Sequence, residues 1–125
     1  MTEPVIIVDT DGDHRQLIPL FLEGGATGFY PFEVQSHMDV GEVRRAYPRL
    51  HMQVGIDKKA VSAGKAAIDR ELDAKVPVVL QGGYIPHIDH GVPPDVSWEN
   101  FCYYRRRLDA MLDEFEAQRA RDAIG

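Results

Sequence analysis

The fold of this 125-residue chain is most constrained by a pattern that occurs four times, in which a short apolar run is followed by a polar loop and a helical stretch. The first apolar run (VIIV) is β-branched throughout, which is typical of a parallel strand buried on both faces. We predict strands at residues 5–8, 28–34, 50–56 and 82–86. Each of these runs is followed closely by acidic, histidine or glycine residues, so the polar groups of the chain gather after the strands.

The segments between the strands carry helical signals. Asp39 and Ser97 are typical N-cap residues, so we predict that one helix begins after Asp39 and the last helix begins after Ser97. We expect residues 118–125, at the end of the last helix, to fray. For residues 76–80 local propensity favours a strand, but Pro77 and the glycines that follow favour a short helical turn, which we predict. The other predicted helices cover residues 17–22, 39–47 and 59–74.

Alternating strands and helices predict parallel pairing through right-handed crossovers. We therefore expect one α/β domain over residues 1–125 with four βα units, which is half of a (βα)₈ barrel. A four-stranded doubly wound sheet is the alternative, and it would need helices on both faces of the sheet.

Composition excludes several classes of function. The net charge of −6 argues against nucleic-acid binding, which usually needs a basic surface. Cys102 is the only cysteine, so no intramolecular disulfide is predicted. The chain has no apolar run of roughly 18 residues, as a membrane span requires, and no signal-peptide pattern at its start. We expect a cytoplasmic protein that acts on a small molecule.

The candidate functional residues follow from a rule for parallel sheets, in which ligand groups gather at the C-terminal ends of the strands. Carboxylates and imidazoles from several strands suit either a divalent metal ion or acid–base chemistry. Structural roles are also open to these residues, since Asp11 could cap a turn and Asp57 a helix. Glu33 could be a surface residue, and one of the two histidines could be structural. The candidate residues are Asp9, Asp11, Glu33, Asp57, His87 and His90.

Several segments, in order and at their spacing, resemble the uroporphyrinogen decarboxylase and corrinoid methyltransferase superfamily. Residues 82–86 (GGYIP), 89–97 (DHGVPPDVS) and the pair Glu99 and Asn100 resemble its last strand, loop and helix start. Residues 17–23 (LIPLFLE) and 32–34 (FEV) resemble its middle portion. The resemblance runs from about residue 5 to about residue 112 and implies strands five to eight of the family barrel.

The methyltransferase branches imply a metal site. They bind zinc through a His-x-Cys-Gly motif after the fifth strand and a Cys before the last helix, and related methionine synthases add a Glu. Residues 9–12 (DTDG), Glu33 and His90 occupy these positions here. The resemblance thus implies Asp9, Asp11, Glu33 and His90 as ligands of zinc or a harder divalent cation. It also implies a corrinoid protein as a partner.

The function that we expect first is metal-assisted methyl transfer, with His90, Glu33 and Asp57 as catalytic residues. The alternative from the decarboxylase branch is decarboxylation of a porphyrinogen-like acid, with His90 as proton donor, although the arginines and aspartate of that branch lie in a half that this chain lacks. A half-barrel that binds a ligand or assembles without catalysis is the third hypothesis.

The same topology predicts assembly. Four curved strands expose two sheet edges and an inner face that we expect to be apolar, and such surfaces are rare in monomers. We therefore expect a homo-oligomer, most simply a dimer that closes a barrel through residues 5–8 and 84–88.

Overall fold

A computed structural model describes residues 2–125 of the chain. Four strands are each followed by helical structure along these residues, as the sequence predicts, with two helices in succession between the third and fourth strands. None of the described helices is both long and apolar enough to cross a membrane. The elements are β1 (Ile7–Asp9), α1 (Ile18–Glu23), β2 (Gly28–Phe32), a 3₁₀ helix (Val34–Ser36), α2 (Val40–Ala46), β3 (His51–Ile56), α3 (Lys58–Ala63), α4 (Lys65–Val79), β4 (Tyr84–Ile88) and α5 (Trp98–Ile124).

All four strands are parallel and lie in the sheet in chain order, β1-β2-β3-β4. The intervening helices pack with the strands into the same two core clusters, on one face of the sheet, as crossovers of the usual right-handed kind between successive neighbours require. The doubly wound alternative needs helices on both faces, and it does not fit this arrangement. The fold is an α/β sheet compatible with half of an α/β barrel.

The helix-covered face contains the buried core, in two adjoining clusters. In-register residues of neighbouring strands, such as Phe29 and Met52, point to this face together. The first cluster joins the sheet to α1, α2 and the end of α4 through Ile18, Phe29, Phe32, Met38, Val40, Val43, Leu50, Met52, Val78, Val79 and Tyr84. The second joins it to α3, α4 and α5 through Ile56, Val61, Ile68, Leu72, Ile88, Tyr104 and Leu108.

The opposite face of the sheet, which we call the open face, is not covered by any described element. Strand alternation places on it Ile7, Asp9, Tyr30, His51, Gln53, Ile85 and His87. None of these residues is buried. The expectation of an apolar inner face is therefore wrong, because five of the seven side chains carry polar groups.

Most predicted elements are present, but several boundaries differ. The first strand is shorter than predicted, and the predicted helix 59–74 is two helices separated by Gly64, whose φ of 116° interrupts a regular helix. Residues 76–79 are helical as predicted, although they continue α4 instead of forming a separate turn. Residues 118–124 remain helical instead of fraying, with side-chain pairs such as Gln118 to Asp122 along the helix.

The predicted helix caps are confirmed. Asp39 Oδ1 accepts a hydrogen bond from the backbone N–H of Glu42, and Ser97 Oγ accepts one from Asn100. These contacts satisfy N–H groups that have no partner inside the helix. The starts of α2 and α5 are therefore encoded locally.

The backbone of β3 is irregular near the C-terminal end of the strand. Val54 and Gly55 both have positive φ angles, 84° and 80°, and the register between β2 and β3 shifts near this point. The hydroxyl of Tyr84 donates a hydrogen bond to the carbonyl of Val54 at 2.7 Å. A Cβ on Gly55 would lie 2.7 Å from both this hydroxyl and Val40 Cγ1. A glycine is therefore required at position 55, because the backbone there is left-handed and because neighbouring atoms leave no room for a Cβ.

Replacing Gly55 by alanine should lower the free energy of unfolding by about 2–4 kcal/mol. The strain of a left-handed backbone at alanine and the overpacking of its Cβ against Tyr84 and Val40 both contribute to this loss. Chemical denaturation measured by circular dichroism tests this. Gly91→Ala is the matched control, since no atom lies within 4 Å of its added Cβ. Equal stability of the two variants would contradict the proposed role of Gly55.

Candidate functional site

Three of the predicted site residues meet at the C-terminal ends of the strands. Asp11 follows β1, Glu33 follows β2 and His90 follows β4. Each offers one ligand atom, and these atoms lie within 4.8 Å of one another. His90 Nε2 is 3.6 Å from Glu33 Oε1 and 3.9 Å from Asp11 Oδ1. We call these three residues the strand-end cluster.

The cluster joins opposite edges of the sheet. β1 and β4 are the two edge strands, and in a flat sheet three strand spacings would separate them by roughly 14 Å. The loops after both strands, together with the side chains of Asp11 and His90, span this distance. The cluster therefore depends on the sheet as a whole and not on one local turn.

Glu33 is the best fixed member of the cluster. Its side chain is only 14% exposed, and the 3₁₀ helix that follows it brings Ser36 Oγ within 3.1 Å, where the hydroxyl donates to Glu33 Oε2. The backbone N–H of Gly12 donates to Glu33 Oε1 at 3.4 Å, a long hydrogen bond. These contacts hold the carboxylate against the loop that carries Asp11.

His90 is turned towards the cluster by its backbone. Its φ is 56°, in the left-handed region, and its Nδ1 lies 3.2 Å from Oδ1 of the buried Asp89. The other ring nitrogen, Nε2, is left to face Glu33 and Asp11. The ring is thus held through Nδ1, while Nε2 is available for a ligand or a proton.

Asp11 is the most exposed member, with 81% of its side chain accessible. Its loop is attached to the sheet by the N–H of Thr10, which donates to the carbonyl of Tyr30. Gly12, with a φ of 75°, turns the loop directly afterwards. Asp11 can therefore adjust its position towards a ligand at little cost in buried surface.

The formal charge of this region is strongly negative. Three carboxylates, Asp11, Glu33 and Asp89, surround one imidazole. Protonation of His90 could balance only one of these charges. A region of this kind attracts cations.

Three other predicted site residues lie outside the cluster. Asp9 is exposed and in register with Tyr30, on the open face, and it is not among the residues whose ligand atoms converge. Asp57 caps α3, accepting hydrogen bonds from the N–H of Lys59 and from Gln35 Nε2, both at 2.9 Å. The helix-cap role of Asp57 is thus confirmed, and the structure gives it no contact with the cluster.

His87 also lies apart from the cluster. It is on the open face, where its Nδ1 is 3.0 Å from the carbonyl oxygen of Ile88. Its ring centroid is 6.4 Å from that of Tyr30, at a tilted angle. Strand alternation accounts for the separation, because His87 precedes the end of β4 and points away from the helix-covered face.

Two residues near the site have contacts that the sequence does not predict. Asp89 lies in the stretch that follows β4, but its contact with His90 depends on a left-handed backbone that no sequence pattern specifies. His14 is the second of these residues, and it is buried, with its ring stacked on Phe29 at 4.9 Å and edge-on to Phe32. His14 anchors the loop that carries Asp11 to the core.

Neither ring nitrogen of His14 has a hydrogen-bond partner among the described residues. Burial lowers the pKa of His14 below its ordinary value. This loss of solvation outweighs the opposing effects of the nearby backbone of Gly12 and Thr10, which does not reach hydrogen-bond geometry, and of the charges of Asp13 and Glu33. The ring is therefore held in its neutral form within the core.

Comparisons of the chain with protein-family models, with curated proteins and with solved structures find no match. The superfamily resemblance stays a prediction.

The pH dependence of stability tests the state of His14. Because its pKa is lower in the folded state than in the unfolded chain, the unfolded chain binds more protons, and stability falls as the pH drops below about 6.5. His14→Leu should remove this part of the decline while keeping stability at about pH 8 within roughly 1 kcal/mol, since it replaces an unpaired buried polar ring. Denaturation midpoints between about pH 8 and pH 5 measure the difference.

The control is His37→Asn, which removes an exposed histidine at a left-handed position (φ 64°) that asparagine tolerates. The control should follow the wild-type decline. If His14→Leu follows it too, His14 does not titrate as a buried group.

Proposed function

We propose that this chain is a half-barrel of the (βα)₈ type that binds one divalent metal ion at Asp11, Glu33 and His90. Support for the barrel comes from the chain-order sheet with helices on one face only. The convergence of the three ligand atoms from three separate segments carries the metal proposal.

The spacing within the strand-end cluster fits a shared ion better than direct hydrogen bonds. The distances of 3.6 and 3.9 Å from His90 Nε2 exceed those of good hydrogen bonds. Two ligands on a tetrahedral ion, with bonds near 2.0–2.2 Å, are about 3.4 Å apart. A small movement of the exposed Asp11 would complete that geometry.

One nitrogen and two oxygen ligands suit zinc or a harder divalent cation more than a soft thiolate-binding metal. Three protein ligands also leave a coordination position for a substrate, as catalytic sites do and closed structural sites do not. The Asp9 position, which the superfamily resemblance implies as a ligand, is not part of this proposal.

The reaction that we propose is methyl transfer involving a small molecule, with a corrinoid protein as the partner that the resemblance implies. A bound divalent ion would polarise the heteroatom of a methyl donor or activate the acceptor. Glu33, fixed by Ser36 and Gly12, would hold the geometry, and the exposed side of the cluster would admit the substrate.

The metal proposal is tested by titration of the purified protein with Zn²⁺ and Mn²⁺ in a calorimeter. We expect one equivalent to bind. His90→Ala and Glu33→Gln should weaken binding by more than the roughly 10–100-fold that is typical for loss of an outer-shell partner, because each removes a ligand. Circular dichroism should show both variants folded, since both side chains lie outside the two core clusters.

Asp9→Asn is the matched control, because Asp9 is also an acidic residue at the end of β1 but lies outside the cluster. It should bind the metal as the wild type does. Absence of binding by the wild type, or equal weakening in the control, would reject the site.

A second candidate function is proton transfer by His90 without a metal, as in decarboxylation of a porphyrinogen-like acid. The contact between Asp89 and His90 favours it, since a carboxylate partner orients a histidine for acid–base work. Failure of metal binding together with loss of decarboxylation in His90→Ala would favour this candidate over methyl transfer.

We also propose that two copies of the chain associate through their edge strands. Exposed apolar side chains occur at both edge strands, with Ile6, directly before β1, at 47% and Ile85, on the open face of β4, at 60% exposure. Pairing of β1 with β4 of a second copy would satisfy the backbone groups of both edges.

Light scattering of the purified protein should give twice the 14.1 kDa mass of one chain. Ile85→Lys should shift the mass towards the monomer, because it places a charge at the proposed contact. Ile124→Lys, which changes another exposed isoleucine in the tail of α5, should leave the mass unchanged. A monomeric wild type at high concentration would refute the assembly.

A further inference from the structure

Asp89 is the only carboxylate among residues 2–125 whose residue is buried, with 0% exposure. Carboxylates are rarely buried unless a partner satisfies them. The only hydrogen-bond partner of its carboxylate in the described chain is the ring of His90, at 3.2 Å from Oδ1, and Oδ2 has none. A buried carboxylate with this single contact depends on that contact.

The contact requires an unusual backbone. Successive residues of a strand point to opposite faces, so adjacent side chains do not normally meet. The φ of 56° at His90 turns the chain directly after β4, and the ring folds back over Asp89. The backbone N–H of Asp89 donates to the carbonyl of Ile56 at 2.9 Å, which fixes Asp89 against β3. The imidazole is thereby attached to the sheet through its neighbour.

The chemistry of the contact determines which ring nitrogen is protonated. When the carboxylate of Asp89 is ionised, it can only accept hydrogen bonds, and Nδ1 of His90 is then the donor. In the neutral ring the lone pair then lies on Nε2, the atom that faces Glu33 and Asp11. A hydrogen bond at one nitrogen of a metal-binding histidine generally selects the other as the ligand.

We infer that Asp89 is a positioning residue, which holds His90 in the Nδ1–H tautomer so that Nε2 is the ligand of a divalent cation. The inference rests on the proposed metal site and adds the reason why Nε2 is the coordinating atom. Asp89 does not touch the ion. It fixes the orientation and tautomer of a ligand that would otherwise rotate on an exposed loop.

The tautomer is measured directly by long-range ¹H–¹⁵N correlation spectra of the metal-free protein at about pH 8, above the ordinary pKa of histidine. The chain has five histidines, and the spectrum of His90→Ala assigns the signals of His90. We expect a proton on Nδ1 and none on Nε2. In Asp89→Asn the amide can either donate or accept, so we expect a mixture of both tautomers.

Calorimetric titration with Zn²⁺ supplies the second measurement. Asp89→Asn should bind the ion about 10–100-fold more weakly than the wild type, as is typical when an outer-shell partner is lost. Asp95→Asn, which changes an exposed acid in the same loop, should alter neither the tautomer nor the affinity.

The outcomes separate this inference from the proposed metal site. If the wild type binds no Zn²⁺, the metal site fails, and the spectrum still decides whether Asp89 fixes the tautomer. If the wild type binds Zn²⁺ but carries its proton on Nε2, the inference about Asp89 is overturned. A variant Asp89→Asn with lower thermal stability but unchanged tautomer and affinity would likewise reduce Asp89 to a structural residue. The wild-type spectrum decides the question even if that variant does not fold.

Discussion

The right-handed crossover between neighbouring parallel strands determines most of this structure. Because each strand pairs with the one before it, all five helices cover one face of the sheet and every strand ends at the same side. The loops after the strands are consequently brought together whatever their own sequence is. A cluster such as Asp11, Glu33 and His90 can therefore form from residues that are as many as 79 positions apart in the chain.

The sequence predicted the residues that this topology alone positions. Glu33 comes directly after β2 and His90 two residues after β4, so the rule of strand ends was sufficient to place them together. It was too coarse for Asp9, because Asp9 still belongs to β1 and lies on the open face, whereas Asp11 belongs to the loop that follows the strand. The rule of strand ends was also too coarse for Asp57, whose carboxylate accepts a hydrogen bond from the N–H of Lys59 and so caps α3.

Other features could not be predicted because they depend on backbone torsion angles or on tertiary contacts. The contact between Asp89 and His90 requires a left-handed residue, and histidine is not a strong signal for that conformation. The burial of His14 depends on Phe29 and Phe32, which belong to the next strand. In the last helix, pairs such as Gln118 with Asp122 extend the structure beyond the apolar stripe on which the expected end was based.

The open face limits how a complete barrel could be formed. The interior of a (βα)₈ barrel is normally packed with bulky branched side chains, whereas this face presents Asp9, Tyr30, Gln53 and His87 beside its two isoleucines. Burying these polar groups without partners would be unfavourable by several kcal/mol in total, at roughly 1–3 kcal/mol for each group. A second half that closes over this face must therefore either pair with these groups or leave room for water or a ligand among them. In the second case the polar interior would lead directly to the strand-end cluster, since Asp9 and His87 lie only two and three residues from Asp11 and His90 along their strands and loops.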